Sequence, residues 1–112
     1  MDCLFCKIAA GQIPSQKLYE DDKVLVFRDI DPQAPFHALI IPKEHIASAG
    51  AITHENSAIV AYIFEIAAKL AAEHALTGGF RLVTNCGADA GQTVPHLHFH
   101  MLAGRLLGWP PG

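Results

Sequence analysis

Three histidines recur at every second position near the end of the chain, in the segment TVPHLHFHML of residues 93–102. They are His96, His98 and His100, and apolar residues fill the positions between and after them. Side chains two positions apart share one face of a β-strand, so a strand here would separate the imidazoles from the apolar side chains. The spacing therefore predicts a row of imidazoles that lines a surface or a cleft.

Such a row is compatible with three roles, which the spacing alone leaves open. The first is structural, as part of a partly buried strand. The second is metal binding, although His96 and His100 would lie about 13 Å apart along a strand and could hardly share one ion. The third is nucleophilic catalysis at phosphorus, because a neutral imidazole attacks readily and becomes a good leaving group once protonated.

The residues upstream of the row favour chemistry at a phosphate. The tripeptide Gly91-Gln92-Thr93 offers backbone N–H groups, an amide and a hydroxyl, which suit the binding of an anion. Asn85 ends the preceding predicted strand and adds a further polar side chain. The sequence therefore predicts an anion site beside the histidines.

The elements that position these groups follow from local patterns. We predict a short helix over 3–10, a hairpin of strands 17–20 and 23–28, and a buried strand over 37–41. An apolar stripe predicts a long helix from Thr53, its N-cap, to Leu76, before the stop signal Gly78-Gly79. Strands are predicted over Phe80–Asn85 and 96–102. The fold class is therefore α+β, an antiparallel sheet of about five strands with one long helix and a short N-terminal helix.

Composition narrows the class of protein. The 112 residues suffice for a single domain, 1–112, and 51% of them are hydrophobic. A net charge of −3, with eight Lys and Arg spread singly, argues against nucleic-acid binding. No apolar run is long enough to cross a membrane, and the start lacks the basic region of a signal peptide. Three cysteines suit a reducing compartment, so we expect a cytoplasmic protein.

The run from His96 to Leu102 resembles the signature of the histidine-triad (HIT) family. The resemblance covers nearly the whole chain, including CxxCKI at 3–8, FRDIDPQAP at 27–35, IPKEH at 41–45 and GWPPG at 108–112. The last segment looks like the Hint branch, which comprises purine nucleoside phosphoramidases. Thr93 and Pro95 differ from the residues of animal Hint proteins and resemble those of the bacterial members. The family implies a homodimer in which long helices and fourth strands meet across a twofold axis, giving one continuous ten-stranded sheet.

The resemblance also implies catalytic roles for individual residues. His98 matches the nucleophile, which attacks the α-phosphorus of a nucleoside 5′-phosphoramidate and forms a nucleotidyl-histidine intermediate that water cleaves. His100, Asn85 and Thr93 match contacts to the phosphate and the leaving group. His37 matches a further active-site histidine that helps to orient the row.

Substrate-binding positions follow from the same match. Asp29 matches the carboxylate that accepts both ribose hydroxyls, which suits its chemistry. Gly91 and Gln92 are expected to bind the phosphate as part of the anion-binding tripeptide described above, and Trp109 resembles an aromatic residue that approaches the partner subunit's site. An apolar pocket for the base is implied by four further residues, each of which would serve equally well as ordinary core: Phe5, Ile8, Phe27 and Ile30.

Cys3-x-x-Cys6 is ambiguous by itself, because it fits two small apolar residues in a helix or a redox pair. Related galactose-1-phosphate uridylyltransferases bind zinc at positions that correspond to Cys3, Cys6, His45 and His96. The resemblance thus implies a structural zinc and no organic cofactor. In this reading His96 tethers the metal, while His98 attacks and His100 assists.

The predicted ligand is a purine nucleotide or nucleoside phosphoramidate. Two alternatives stay open. One is hydrolysis of dinucleoside polyphosphates, because AGQTVPH at 90–96 also resembles that branch. The other is a nucleotide-binding scaffold whose catalysis is vestigial.

Overall fold

The computed structural model describes residues 3–112. In chain order the elements are helix α1 (Leu4–Ala9), strands β1 (Lys17–Glu20), β2 (Val24–Arg28) and β3 (Phe36–Pro42), the 3-10 turn Ala49–Ala51, helix α2 (Ala58–Glu73), and strands β4 (Phe80–Val83) and β5 (Phe99–Ala103). The prediction that the chain starts without a signal peptide involves Met1 and Asp2, which lie outside the described residues. Across 3–112, no helix is both long and apolar enough to span a membrane.

The five strands form one antiparallel sheet in the order β1-β2-β3-β5-β4. This confirms the predicted fold class. Strand β3 lies in the middle and is buried along its whole length, which explains its nearly continuous apolar sequence. In the register of β3 and β5, His37 lies opposite Leu102 and Leu39 lies opposite His100. The two strands therefore place His37 and His100 on the same face of the sheet.

Each face of the sheet carries its own apolar cluster. Helix α2 packs on one face, where its buried residues Ile63 and Leu70 join Val26, Ile40 and Met101. The other face is covered near α1 by a smaller cluster. Its members are Cys3, Phe5, Ile8, Leu25, Phe27, Leu39 and Ile41. The histidines lie on this second face, so α1 is the element that covers them.

The bounds predicted for the long helix are wrong at both ends. The helix begins at Ala58, because Asn56 ties the preceding residues into a turn: its Oδ1 accepts the Thr53 N–H at 2.6 Å and its Nδ2 donates to the Ala51 carbonyl at 3.1 Å. It ends at Glu73, before the glycine pair, because Ala75 adopts a left-handed conformation with φ 54°.

The predicted strand bounds around the site are also wrong. Strand β4 stops at Val83, two residues before Asn85, and β5 begins at Phe99. The residues before Phe99 leave the sheet because Pro95 cannot donate to a strand neighbour and the Leu97 N–H donates instead to the Ile46 carbonyl. His98 therefore lies just before β5 and His96 lies in a bend, while His100 is inside the strand.

Asp21 fastens the β1–β2 turn to helix α2. Its carboxylate accepts hydrogen bonds from the hydroxyls of Tyr19 and Tyr62 and from the backbone N–H groups of Lys23 and Val24. Burial alone would raise the pKa of Asp21, but these donors outweigh it and hold the pKa well below its usual range. The ionised carboxylate therefore stabilises the folded state.

We expect Asp21→Asn to lower the free energy of unfolding at pH 7 by about 1–2 kcal/mol, because charge-assisted hydrogen bonds are lost from a partly exposed site. Since the folded pKa is depressed, the stabilisation is present above the unfolded pKa near 3.8 and disappears as the pH falls through the folded value. Urea unfolding of parent and variant at pH 7 and pH 3 measures this, with Asp22→Asn as the control. An equal difference at both pH values would contradict it.

Candidate functional site

The orientation of His98 is fixed by the backbone of its own segment. Its Nδ1 lies 2.7 Å from the carbonyl oxygen of His96, which can only accept, so Nδ1 carries the hydrogen. The lone pair of the neutral ring is therefore on Nε2. The ring is buried and meets Phe5 edge to face, with centroids 5.0 Å apart. The side chain is thus held rigidly with one nucleophilic nitrogen available.

His100 is oriented through His37. The Gln33 N–H donates to Nδ1 of His37 at 3.0 Å, so the hydrogen of that ring is on Nε2. This Nε2–H donates to Nδ1 of His100 at 2.9 Å, which leaves His100 with its own hydrogen on Nε2. Burial first, and then the nearby His98 and His37, lower the pKa of His100, while Asp29 opposes the shift. His100 is therefore a neutral ring that can donate a hydrogen bond from Nε2.

Asp29 adds a carboxylate to this pair. Its Oδ2 lies 3.4 Å from Nε2 of His37 and 3.9 Å from Nδ1 of His100, and its Oδ1 accepts the Asp31 N–H at 2.8 Å. The three side chains are close enough to hold a metal ion. However, the Gln33 N–H donates to Nδ1 of His37 and so keeps the hydrogen of this ring on Nε2, the nitrogen that faces Asp29 and His100. The arrangement therefore suits hydrogen bonding better than metal coordination.

Asp29 and His100 meet His98 in a cavity of about 480 Å³ between α1 and the sheet, and His37 is not among the residues that line it. Eight of the predicted substrate-binding residues line it: Phe5, Ile8, Phe27, Asp29, Ile30, Asn85, Gly91 and Thr93. His98 and His100 are also in its wall, so apolar side chains and polar groups share one space. The volume is in the range of small-molecule sites, and the lining suits a ligand with an apolar part and an anionic part.

Four further lining residues were missed by the sequence analysis: Leu4, Arg28, Leu39 and Val94. The period of two along β3 offered a signal for Leu39, because it places this residue on the same face as His37. A second cavity, of about 620 Å³, lies at the β4 edge of the sheet and is lined without histidine, cysteine or acidic residues. The chemistry therefore belongs to the smaller cavity.

Two predicted substrate residues lie outside this cavity. Gln92 braces the loop around it, because its Oε1 accepts the Gly87 N–H at 3.0 Å and its Nε2 donates to the carbonyls of Ala47 and Val94 at 2.9 and 3.0 Å. Trp109 is 82% exposed near the C-terminus. Within the single chain, neither side chain reaches the space that His98 faces.

A second cluster of side chains lies behind the row, and it contains Cys3, Cys6, His45 and His96. Nδ1 of His96 lies 3.3 and 3.5 Å from the sulfurs of Cys3 and Cys6 and 3.2 Å from Nδ1 of His45. The Cys6 sulfur lies 3.2 Å from Nδ1 of His45. Tetrahedral zinc with two sulfur and two nitrogen ligands requires edges of about 3.3–3.8 Å. The four ligand atoms therefore nearly fit a zinc ion.

The protonation of His96 agrees with that fit. Its Nε2 lies 2.8 Å from the Pro42 carbonyl and must donate, so the lone pair on Nδ1 points at the sulfurs. Burial is the main cause that lowers the pKa of His96, and the Pro42 contact opposes the shift only in part. A neutral imidazole with a free Nδ1 is the form that binds a metal. The side chain of His96 thus belongs to the cysteine cluster, while its carbonyl orients His98.

The chain is similar to proteins of one family. The HIT domain model matches residues 10–107. A HIT family hydrolase from Legionella pneumophila is 50% identical with a TM-score of 0.96, over 99% of this chain and 100% of that one. A histidine triad nucleotide-binding protein from Candida albicans is 37% identical with a TM-score of 0.81, over 97% and 83%. The 14 kDa zinc-binding protein of Zea mays is 45% identical over 97% of this chain and 87% of that protein.

Proposed function

The chain belongs to the HIT domain family, and from this premise we propose that it is a nucleotide-binding hydrolase that cleaves nucleoside 5′-phosphoramidates. The observation that carries the proposal is the placement of His98, which lines a cavity shared with apolar side chains and Asp29 and whose Nδ1 is held by the His96 carbonyl. Similarity to a HIT family hydrolase and to a histidine triad nucleotide-binding protein supports both parts of the proposal. A purine base would fill the apolar part, and Asp29 would accept the ribose hydroxyls.

The reaction would proceed in two displacements at the α-phosphorus. Nε2 of His98 attacks, and the bond from phosphorus to the leaving nitrogen breaks as that nitrogen takes up a proton from solvent and departs as the amine; the water that later cleaves the intermediate returns a proton to solvent. The positive charge that develops on the ring is stabilised because Nδ1–H donates to the His96 carbonyl. The Nε2–H of His100 is suited to donate to a phosphate oxygen. Water then attacks the nucleotidyl-histidine and releases the nucleoside monophosphate.

Turnover of two substrates tests this assignment. The protein is incubated separately with adenosine 5′-phosphoramidate and with a diadenosine polyphosphate, and the rates of release of the products are compared. Faster cleavage of the phosphoramidate supports the proposal. Faster cleavage of the polyphosphate would instead identify the chain as a dinucleoside polyphosphate hydrolase. Cleavage of neither substrate would favour a nucleotide-binding scaffold.

We further propose that the cysteine cluster holds one structural zinc. The near-tetrahedral spacing of its four ligand atoms supports this, as does the similarity to a zinc-binding protein of Zea mays. Zinc would fix the bend at His96 to α1 and so hold the carbonyl that orients His98. Because its thiolates must stay reduced, we propose a reducing compartment, such as the cytoplasm, as the site of action.

A homodimer is proposed from the exposed apolar surface beside β4. This strand is an edge of the sheet, and next to it Phe64 of α2 is 52% exposed and Phe80 of β4 is 41% exposed. Exposed Ala61 and Ala68 on the same side of α2 leave room for close approach. Pairing of β4 with its own copy across a twofold axis would cover this surface and give a continuous ten-stranded sheet.

We expect light scattering at micromolar concentration to give about twice the chain mass of 12.1 kDa. Phe64→Glu should weaken the dimer by about 100-fold, because an unpaired charge would be buried on both sides of the axis. Ile63 of α2 is unsuitable for this test, because it is fully buried in the chain's own core and a charge there would unfold the chain itself. Gln12→Glu, beside α1, is the control. A parent protein that is monomeric and fully active would contradict the proposal.

A further inference from the structure

We propose that Arg105 is a positioning residue, which fixes the hydrogen positions of the histidine row from outside the cavity. It acts through the backbone of Gln33 on His37 and through His37 on His100. The inference about activity rests on the proposed function, whereas the effect on hydrogen positions is independent of it. Arg105 lies in the turn after β5 and is itself exposed.

The guanidinium group of Arg105 binds the loop before β3. Its Nε and Nη2 donate to the Gln33 carbonyl at 3.1 and 3.0 Å, and its Nη1 donates to the Leu106 carbonyl at 3.0 Å. The adjacent Gly104 permits this approach, because it has φ +96° and a Cβ there would lie 2.9 Å from the Cβ of Pro35. The turn after β5 is therefore pressed against the 31–35 loop.

The other side of Gln33 faces the site. Its N–H donates to Nδ1 of His37 at 3.0 Å, and Nε2 of His37 lies 2.9 Å from Nδ1 of His100. One residue thus accepts two bonds from Arg105 through its carbonyl and, through its N–H, selects the hydrogen position on His37. A two-donor clamp on one carbonyl restrains the backbone more than a single bond does, because it limits rotation as well as displacement.

Loss of the clamp would affect His100 through this chain of bonds. If the Gln33 N–H moves away, His37 can carry its hydrogen on Nδ1, and its Nε2 then becomes an acceptor. His100 must in that case donate from Nδ1, which leaves a lone pair instead of an N–H on Nε2. A phosphate oxygen would then meet a lone pair where the proposed mechanism requires a donor.

The connection between β2 and β3, residues 29–35, also carries Asp29 at its start. Asp29 accepts the Asp31 N–H at 2.8 Å, and the Gln33 side chain donates to the Asp31 carbonyl at 3.0 Å. These bonds lie within the loop and do not depend on Arg105. We therefore expect substrate binding through Asp29 to persist in Arg105 variants, so that kcat falls more than KM rises.

The test compares Arg105→Gln with Lys17→Gln. Lys17 is the control, because it is an exposed cation that bonds Glu20 at 2.8 Å on β1, at the edge of the sheet opposite β4. We expect kcat for adenosine 5′-phosphoramidate to fall by about tenfold in Arg105→Gln, with KM changed less than about twofold, and Arg105→Lys to restore part of the loss. Lys17→Gln should keep the parent kcat.

Nitrogen-15 NMR of the histidine rings provides the readout that a merely structural role would not move. The parent should show His37 with its hydrogen on Nε2. Arg105→Gln should show a mixture of the Nδ1–H and Nε2–H forms of His37, while its fold and its oligomeric mass stay those of the parent. An unchanged His37 spectrum in folded Arg105→Gln would overturn the proposal, whatever the turnover. A mixed His37 spectrum in folded Arg105→Gln, beside a parent protein that shows the single form but no turnover, would instead overturn the proposed function and retain the positioning role. If Arg105→Gln does not fold, the same comparison is made with Arg105→Lys.

Discussion

His98→Ala is expected to lower the turnover of adenosine 5′-phosphoramidate by about 10⁴-fold or more, because it removes the nitrogen that forms the covalent intermediate. Binding of adenosine monophosphate should change by only a few fold, since Asp29 and the apolar lining of the cavity remain. Steady-state kinetics and titration calorimetry measure the two effects. Mass spectrometry of the quenched parent reaction should show one added nucleotidyl group, which the variant lacks.

Two further variants make this result interpretable. His98→Asn keeps a polar side chain under Phe5 and should be as inactive as His98→Ala, which separates lost chemistry from lost packing. His54→Ala removes an exposed histidine before α2 and should retain the parent rate. If His98→Ala hydrolyses the phosphoramidate at close to the parent rate, covalent catalysis by this residue is refuted.

Removal of the proposed zinc should have the second largest effect. Protein purified without a histidine tag should contain about one zinc per chain, and the double variant Cys3→Ser, Cys6→Ser should contain none. With free zinc at 1,000 times its dissociation constant, the loss would lower the free energy of unfolding by about 4 kcal/mol. Elemental analysis measures the metal, and thermal unfolding in the presence and absence of a chelator measures the stability.

The third cysteine offers the control. Cys86 is exposed and its thiol hydrogen-bonds to the Ser48 hydroxyl, outside the cluster. Cys86→Ser should therefore keep both the zinc and the stability of the parent. Freshly purified, reduced parent protein without metal would show that Cys3, Cys6, His45 and His96 are held together by packing and hydrogen bonds alone.

Much of the fold could be predicted because it depends on local patterns. The nearly continuous apolar run of β3 and the apolar stripe along α2 indicated these two elements, and the antiparallel sheet followed from the order of the predicted strands. The bounds failed where side chains compete with the backbone, as Asn56 does before α2. They also failed where a proline interrupts pairing, as Pro95 does before β5. Both effects depend on single hydrogen bonds, which cannot be inferred from the periodic pattern of apolar residues.

The candidate site was predictable to the extent that it resembles a known family. The spacing of the histidines indicated a shared face, but the division of His96 and His98 between two clusters depends on which way each ring turns. That orientation is set by carbonyls such as Pro42, 54 positions away from His96. The contact between Arg105 and Gln33 joins residues 72 positions apart and leaves no local signal.

Helix α1 has only six residues, fewer than an isolated helix needs to persist in water. It nevertheless supplies Cys6 to one cluster and Phe5 and Ile8 to the wall of the cavity. Opening of this one short segment would therefore unseat the metal ligands and widen the substrate cavity in the same local unfolding event. Zinc and nucleotide would each oppose that event, so each would raise the equilibrium affinity of the chain for the other, and by the same factor.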